Sequence, residues 1–157
     1  MIFNKNGYLD AGFHDHDANS IKTHLVDAFP TSVTRSNIWD GYIRHSDDIR
    51  KCGVQVVEFF NGSFSTTKND PGDIDLVGFA DEGAVNSLPP PLQALFQSLF
   101  LGPNTKTSHL CDAYFVATVP PGHPQESRVR TMRKYWMGEF GYDRSDIPKG
   151  IIRTIVK

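Results

Sequence analysis

A short polar loop joins two predicted strands within residues 59–77, which read FFNGSFSTTKNDPGDIDLV. The strand before the loop, residues 54–60, is rich in β-branched and aromatic side chains, which is typical of a mostly buried strand, and it ends at Asn61-Gly62. The strand after the loop, residues 73–79, begins with two aspartates and is otherwise apolar. The sequence therefore predicts two neighbouring strands whose polar ends meet at one end of a sheet.

The residues at this junction suit phosphate and metal binding. Asp73 and Asp75 are two positions apart, so on a strand their carboxylates share one face and can share a hard divalent cation such as Mg²⁺. Gly62 leaves the backbone N–H groups after the strand open to a triphosphate, and the Ser63 hydroxyl can hydrogen-bond a phosphate oxygen. The alternative is a polar turn, in which Asp73 merely caps and Asp75 hydrogen-bonds the loop backbone.

The rest of the chain alternates helical and strand patterns. Apolar residues at helical spacing predict helices over residues 19–29 (with Asn19 as a possible N-cap), 36–51, 92–101 and 126–136. Runs of β-branched and aromatic residues predict further strands over residues 110–119 and 151–156. We therefore expect a single α/β (α+β) domain over residues 1–157, in which helices cover one side of a small mixed sheet. Residues 1–18 are expected to form an extended N-terminal arm.

Composition restricts the class of partner and the compartment. With 16 basic and 18 acidic residues the net charge is -2, so there is no overall basic field and no reading of a DNA groove is expected. Two cysteines without metal-site spacing favour a reducing, cytoplasmic location. No signal peptide and no apolar run of about 20 residues is present, so we expect no membrane association.

The junction motif resembles the signature of the polymerase-beta-type nucleotidyltransferase superfamily. That signature is a hydrophobic residue, Gly, Gly or Ser, a gap, and then Asp, a hydrophobic residue, and Asp or Glu. This sequence matches each position, with Gly62, Ser63, Asp73, Ile74 and Asp75. The whole chain is also similar to a family of short prokaryotic proteins of that fold, on the basis of Phe3-Asn4, Gly7-Tyr8-Leu9, Gly62 to Phe64, Lys68 and Pro148 to Ile151.

The resemblance implies the nucleotidyltransferase fold and a magnesium-dependent enzyme with two ions in its site. It implies that Asp73 and Asp75 bind both ions, and that Asp112 binds the ion that activates the attacking hydroxyl. A nucleoside triphosphate would donate its monophosphate to a hydroxyl on protein, RNA or a small molecule, and pyrophosphate would be released. Asp112 alone could equally be a turn residue at the start of a strand.

Three further residues are candidates for phosphate binding. Thr66 and Lys68 follow the Gly-Ser turn and could contact the nucleotide from the loop, although solvated loop residues have the same composition. Lys149 precedes the last strand in the part that resembles the family ending, so it either points toward the phosphates or marks a turn.

Other readings of the sequence remain open. Nucleotidyltransferase folds also serve as inactive nucleotide-binding or partner-binding modules, including antitoxin-like members of toxin-antitoxin systems. A nuclease or phosphatase could use the same carboxylates, although no histidine is placed to act as its base. The run His14-Asp15-His16-Asp17 could bind a metal, but an arm does not hold ligands in place. A basic and aromatic cluster could bind RNA or form a solvated helix face: Arg128, Arg130, Arg133, Lys134, Tyr135 and Trp136.

Overall fold

Five strands form one mixed sheet in the computed structural model, which describes residues 1–157. They are β1 (Gly12–Asp15), β2 (Val56–Asn61), β3 (Ile74–Asp81), β4 (Cys111–Thr118) and β5 (Gly150–Val156). The order across the sheet is β1-β5-β2-β3-β4; the two outer pairs are parallel and the two inner pairs antiparallel. The four strands predicted from the sequence are confirmed as β2 to β5, and β1 is an additional strand.

Six α-helices accompany the sheet: α1 (Ala18–Lys22), α2 (Arg35–Cys52), α3 (Glu82–Asn86), α4 (Pro90–Ser98), α5 (Lys106–His109) and α6 (Glu126–Gly141). The predictions of α2, α4 and α6 are confirmed. The first predicted helix is only partly right, because Asp17 rather than Asn19 caps α1, accepting a hydrogen bond from Ser20 N at 2.7 Å, and Thr23–Asp27 form a π-helical turn. None of the helices combines the length and the apolar character that a membrane crossing requires.

Helices pack on both faces of the sheet. Successive strand residues point to opposite sides, so Phe60 packs in one core with Tyr42 of α2 while Phe59 packs in another with Phe140 of α6. The expectation that helices cover one side is therefore wrong. The reason is that α6 carries Trp136 and Phe140 at helical spacing, and these two rings cover part of the second face.

The N-terminal segment contributes to the sheet and the core. Its strand β1 pairs with β5 at the sheet edge, and Leu9, before it, is buried with only 1% of its surface exposed. The Leu9 carbonyl accepts a hydrogen bond from Gly150 N at 2.8 Å, and Phe3 forms an isolated antiparallel bridge with Leu9. Composition alone indicated turns and no regular structure, because β1 is short and its partner β5 lies at the far end of the chain.

A cluster of three buried polar side chains, Tyr42, His45 and Glu58, lies between α2 and the sheet. The Tyr42 hydroxyl donates a hydrogen bond of 2.9 Å to Glu58 Oε2, and His45 Nε2 donates one of 2.8 Å to the Leu99 carbonyl. His45 Nδ1 lies 3.7 Å from Glu58 Oε1. Burial raises the pKa of Glu58 to about 7 and lowers the pKa of His45 to about 4, so both groups favour their uncharged forms inside the fold.

We expect Glu58→Gln to stabilise the protein at pH 8 and to leave its stability at pH 4.5 nearly unchanged. Because the pKa of Glu58 is raised in the folded state, its contribution to stability is present below about pH 4.5 and is lost as the pH rises to about 7. Glutamine mimics the protonated form and can still accept the Tyr42 hydrogen bond. The gain at pH 8 should reach roughly 3 kcal/mol, measured by urea unfolding.

The pH dependence of the stability gain in Glu58→Gln shows whether the gain comes from the burial of Glu58 or from the loss of one negative charge in general. His45 has a lowered pKa, so it reduces the stability of the folded protein as the pH falls below about 6.5. This loss is the same in the wild-type protein and in Glu58→Gln, so it does not affect the difference in stability between them. The matched control is Glu139→Gln, which neutralises an exposed carboxylate on α6 and should change little at either pH. An equal gain for Glu58→Gln at both pH values would contradict the interpretation.

Candidate functional site

Three strands bring the predicted acidic residues together at one end of the sheet. Asn61, the last residue of β2, pairs with Asp75 of β3, and Asp75 pairs with Asp112 of β4. Directly paired residues point to the same face, so these side chains form a row across the sheet, on the face that α6 partly covers. Asp73 precedes the first residue of β3. The structure thus places Asp73, Asp75 and Asp112 together at one end of the sheet.

Gly62 brings the Gly-Ser turn directly against this row. Its φ of 75° lies in the region that favours glycine, and a Cβ at this position would overlap the Asp75 carboxylate. Ser63 begins a 3-10 turn, Ser63–Ser65, whose last hydroxyl donates a hydrogen bond of 3.1 Å to the Gly62 carbonyl. Only glycine therefore allows the turn to pass so close to Asp75. This is a different reason for glycine from the approach of a triphosphate expected from the sequence, because the Gly62 N–H donates to Asn61 Oδ1 at 2.5 Å.

The negative charges of Asp73, Asp75 and Asp112, which we call the carboxylate row, repel one another. Burial raises the pKa of Asp75, and the nearby charges of Asp73 and Asp112 raise it further. Asp112 is only 9% exposed, and its Oδ1 atom is buried without a hydrogen-bond partner. Since unpaired buried carboxylate oxygens are costly, this arrangement favours the binding of a positive charge.

Lys106 supplies one such charge, although it was not among the candidate site residues predicted from the sequence. Its ammonium group lies 2.6 Å from Asp73 Oδ2 and 3.1 Å from Asp112 Oδ2, and these two contacts raise the pKa of the lysine. Lys106 starts the short helix α5, far from the Gly-Ser motif in the chain. No local pattern marks it as different from an exposed lysine, so only the tertiary structure reveals its position.

The donor set of this site fits a divalent cation. Carboxylate oxygens are the ligands that Mg²⁺ prefers, and Lys106 alone cannot neutralise three of them. No group of three or more His, Cys, Asp or Glu side chains is already arranged to hold a metal ion; two of the three carboxylates share the lysine instead. The free donors are the Asp75 carboxylate, which has no ion pair, and Asp112 Oδ1.

Lys149 lies at the other side of the row. Its ammonium group donates a hydrogen bond to Asn61 Oδ1, and the Asn61 amide donates to the Phe140 carbonyl near the end of α6. Lys149 is partly buried, and burial lowers its pKa, while the charge of Asp75 acts in the opposite direction. Of the two alternatives for Lys149, a position near the candidate site or a turn, the structure shows the first. Asn61 also lies at the site, although it was not a candidate in the sequence.

A buried arginine shapes the loop that follows the Gly-Ser turn. Arg35, the first residue of α2, is 1% exposed and has no carboxylate partner within ion-pair distance. Each of its five N–H groups donates to a backbone carbonyl, at 2.6 to 3.2 Å: those of Leu25, Phe64, Thr66, Lys68 and Asn69. Burial lowers its pKa to about 10, so it remains charged at neutral pH. Four of the five carbonyls belong to the loop, so Arg35 holds the loop in shape.

The two predicted loop residues differ in what they do. The Thr66 hydroxyl donates to the Ser63 carbonyl at 2.8 Å and accepts from Lys68 N at 3.2 Å, so it stabilises the turn itself. The Lys68 side chain is exposed and makes no hydrogen bond or ion pair. The N-terminal segment also braces this loop, because Thr67 N donates to the Gly7 carbonyl at 3.0 Å and a Cβ at Gly7 would overlap the Thr67 hydroxyl.

Comparison with known families places the chain in one of them. The model of a family of unknown function (DUF6932) matches residues 1–155, nearly the whole chain. The chain belongs to the DUF6932 family. Neither a curated protein nor a solved structure is detectably similar to it. Because the match runs from the first residue almost to the last, the N-terminal arm and the Lys149 segment both lie within the region that defines DUF6932.

The alternating histidines and aspartates of this DUF6932 member do not gather at a common point. His14 Nε2 contacts the Asp10 carbonyl at 2.7 Å, and His16 Nδ1 contacts the Ser20 hydroxyl at 2.9 Å. Asp15 forms two hydrogen bonds with Arg153 of β5, while Asp17 caps α1. These side chains have structural partners in different directions, so the structure does not bring the four together.

The basic and aromatic cluster of this DUF6932 chain divides between the core and the surface. Trp136 packs on Tyr114 of β4, with ring centroids 4.8 Å apart. The four basic residues are exposed along α6, and Tyr135 is 52% exposed beside them. The cluster is therefore a solvent-facing helix surface attached to the sheet through its tryptophan.

A large cavity in the DUF6932 structure is separate from the carboxylate row. It has a volume of about 970 Å³ and lies over the same sheet face, with Phe59 and Phe79 in its lining together with Arg133 and Arg153. None of the three aspartates lines it. Phe79 is four residues along β3 from Asp75, or roughly 13 Å. The cavity and the carboxylate row thus occupy different parts of the face.

Proposed function

We propose that this DUF6932 chain is a magnesium-dependent nucleotidyltransferase of the polymerase-beta-type fold. It would transfer a nucleoside monophosphate from a nucleoside triphosphate to a hydroxyl on protein, RNA or a small molecule. The observation that carries the proposal is the direct contact between the Gly62 turn and Asp75. A turn suited to phosphate and a row of carboxylates suited to metal meet at one strand end, as nucleotide transfer requires.

The acidic residues hold the metal in this proposal. Asp73, Asp75 and Asp112 are the residues that would bind Mg²⁺, and Asp112 Oδ1 and the Asp75 carboxylate are free to do so. Bound Mg²⁺ supplies charge neutralisation at the triphosphate and at the attacking oxygen. The mixed five-stranded sheet is compatible with the proposed fold, and it also positions these residues on adjacent strands.

The turn and the lysines bind the phosphates. The Ser63 hydroxyl is engaged in no hydrogen bond within the protein, so it is available to a phosphate oxygen. The Gly62 N–H, in contrast, already donates to Asn61 Oδ1 at 2.5 Å, and the space beside the Gly62 Cα is filled by the Asp75 carboxylate. Lys149 lies next to the row and Lys68 extends from the loop, so both can offset the charge of the triphosphate. In the reaction the acceptor oxygen bonds to the α-phosphorus, and the bond from that phosphorus to the β-phosphate oxygen breaks.

A second candidate function is an inactive module of the same fold that binds a nucleotide or a partner protein, as an antitoxin does in a two-gene system. The observation that favours it is the Lys106 ammonium group, which already neutralises Asp73 and one oxygen of Asp112. A permanently paired site would bind without turnover. The exposed basic surface of α6 would then be a surface for an acidic partner.

The test is transfer of a labelled nucleotide. The purified protein is incubated with each nucleoside triphosphate, labelled either on the α-phosphate or on the γ-phosphate, with Mg²⁺ or with EDTA, and with protein, RNA and small-molecule acceptors. We expect label from the α-phosphate on one acceptor, dependent on Mg²⁺, and none from the γ-phosphate. The second position of the label matters because it separates nucleotide transfer from phosphate transfer by a kinase.

The outcomes separate the two candidates. Label from the α-phosphate supports the enzyme, and its persistence in Asp73→Ala would remove the site assignment. Nucleotide or partner binding without transfer to any acceptor, unaffected by Asp73→Ala, supports the inactive module. Phosphodiester cleavage by the wild-type protein would instead favour the nuclease reading.

A further inference from the structure

The Lys106 ammonium group lies between carboxylates that come from two neighbouring strands. It contacts Asp73, before β3, at 2.6 Å and Asp112, on β4, at 3.1 Å. One cation shared between carboxylates from neighbouring strands is the arrangement that a divalent ion adopts in sites of this chemistry.

The backbone around Lys106 is held in place, so the lysine belongs to the site. Gly102 N donates to the Ala113 carbonyl of β4 at 2.7 Å, and the Thr105 hydroxyl, on a residue only 1% exposed, accepts from Leu101 N at 3.0 Å. On the other side, a Cβ at Gly41 of α2 would overlap the His109 carbonyl of α5. The segment is thus packed against both β4 and α2, and its lysine points at the carboxylates from an anchored position.

The donors that Lys106 leaves free are enough for one ion. The side chain of Asp75 makes no ion pair or hydrogen bond. Asp112 Oδ1 is buried without a hydrogen-bond partner, while the other carboxylate oxygen of Asp112 contacts Lys106. Asp75 and Asp112 are directly paired neighbours on β3 and β4. Three carboxylates with the ammonium groups of Lys106 and Lys149 carry a single net negative charge, so a second divalent ion is not needed to neutralise the protein groups of the site.

We propose that Lys106 replaces one of the two metal ions, so that this chain binds a single divalent cation per site. The proposal rests on the proposed nucleotidyltransferase function, which it deepens by changing the metal stoichiometry from two to one. Lys106 is therefore a positioning residue and a built-in cation, held between Asp73 and Asp112, while the divalent ion is left to Asp75 and Asp112.

The test is to count divalent ions directly. Binding of Mn²⁺, as a probe for Mg²⁺, is measured by calorimetry and by the loss of free-ion magnetic resonance signal, with a non-hydrolysable triphosphate present. We expect one ion per wild-type chain and two per chain of Lys106→Met. Lys106→Arg keeps the positive charge and should remain at one. The matched control is Lys51→Met, which removes a lysine paired with Asp48 at 2.6 Å, away from the site, and should also remain at one.

Each result decides the matter. Two ions in the wild-type protein, or an unchanged count and affinity in Lys106→Met, would overturn the role of Lys106, while transfer of label in the same preparations would leave the proposed function intact. No ion in any variant together with no transfer would overturn both. Because Lys106→Met could fold poorly, its thermal midpoint is compared with that of Lys106→Arg, and the arginine variant must give the same count as wild type for the proposal to stand.

Discussion

Asp75→Asn is expected to lower nucleotide transfer by about 1000-fold while making the folded protein more stable. The two effects have one cause. Burial and the neighbouring charges of Asp73 and Asp112 raise the pKa of Asp75, so its charged form costs stability at neutral pH. Asparagine keeps the shape and removes that cost, but it also removes a carboxylate that would bind Mg²⁺ in the proposed function. The measurements are the rate of labelling and the thermal midpoint at pH 7.5.

A rise in stability together with a loss of transfer distinguishes a functional carboxylate from a structural one. The matched control is Asp81→Asn, at the opposite end of β3, where Asp81 Oδ1 caps α3 by accepting from Ala84 N at 2.8 Å. Because asparagine is also a good N-cap, this variant should keep both its activity and its stability. A structural role for Asp75 would show the reverse of our expectation, with lower stability and retained transfer.

Arg35→Met is expected to destabilise the protein by about 4 kcal/mol or more. Methionine fills a similar space but donates no hydrogen bond, so five backbone carbonyls lose their donor, and each buried unsatisfied group costs about 1–3 kcal/mol. Partial entry of water lowers the total below the simple sum. Urea unfolding at pH 7 measures the free energy, and proteolysis of the native state should show cleavage between residues 64 and 69 before any other site.

The variant Arg35→Lys tests whether the five N–H groups of the guanidinium group, and not only its charge, stabilise the loop. The substitution Arg35→Lys keeps the charge but leaves three donors on one nitrogen, which cannot reach five diverging carbonyls, so it should recover less than half of the loss. The control is Arg44→Met on the same helix, because the only hydrogen bond of the Arg44 side chain is a long one, 3.5 Å, to the Ser108 carbonyl. A loss for Arg35→Met within about 1 kcal/mol of that control would mean that the loop is held by other contacts.

The junction of β2 and β3 was predictable because its information is local. The apolar run ending at Asn61, the glycine at position 62 and the Asp73-Ile74-Asp75 repeat lie within a short stretch of chain. Strand alternation alone then places two carboxylates on one face. The three longer helices were predictable for the same reason, since their apolar spacing repeats over several turns.

The residues that sequence reasoning missed act over long distances in the chain. Lys106 reaches Asp73 from a helix of four residues, and Arg35 meets five carbonyls spread over two segments. Strand β1 exists only because β5, more than a hundred residues later, pairs with it. The position of α6 on the second face depends on the packing of Trp136 and Phe140 against residues of the strands. None of these has a local pattern, because each depends on how distant segments are brought together.

The pairing of β3 with β4 makes the spacing of the two central carboxylates a property of the backbone. Asp75 and Asp112 are opposite one another in a parallel pair whose neighbours Ile74 and Cys111 are fully buried on the other face. Shifting β3 by one position would place an aspartate in the hydrophobic core and an apolar side chain beside Gly62. An insertion in the turn between α3 and α4, residues 87–89, should therefore leave the candidate site intact, whereas a single-residue slip within β4 would separate its carboxylates.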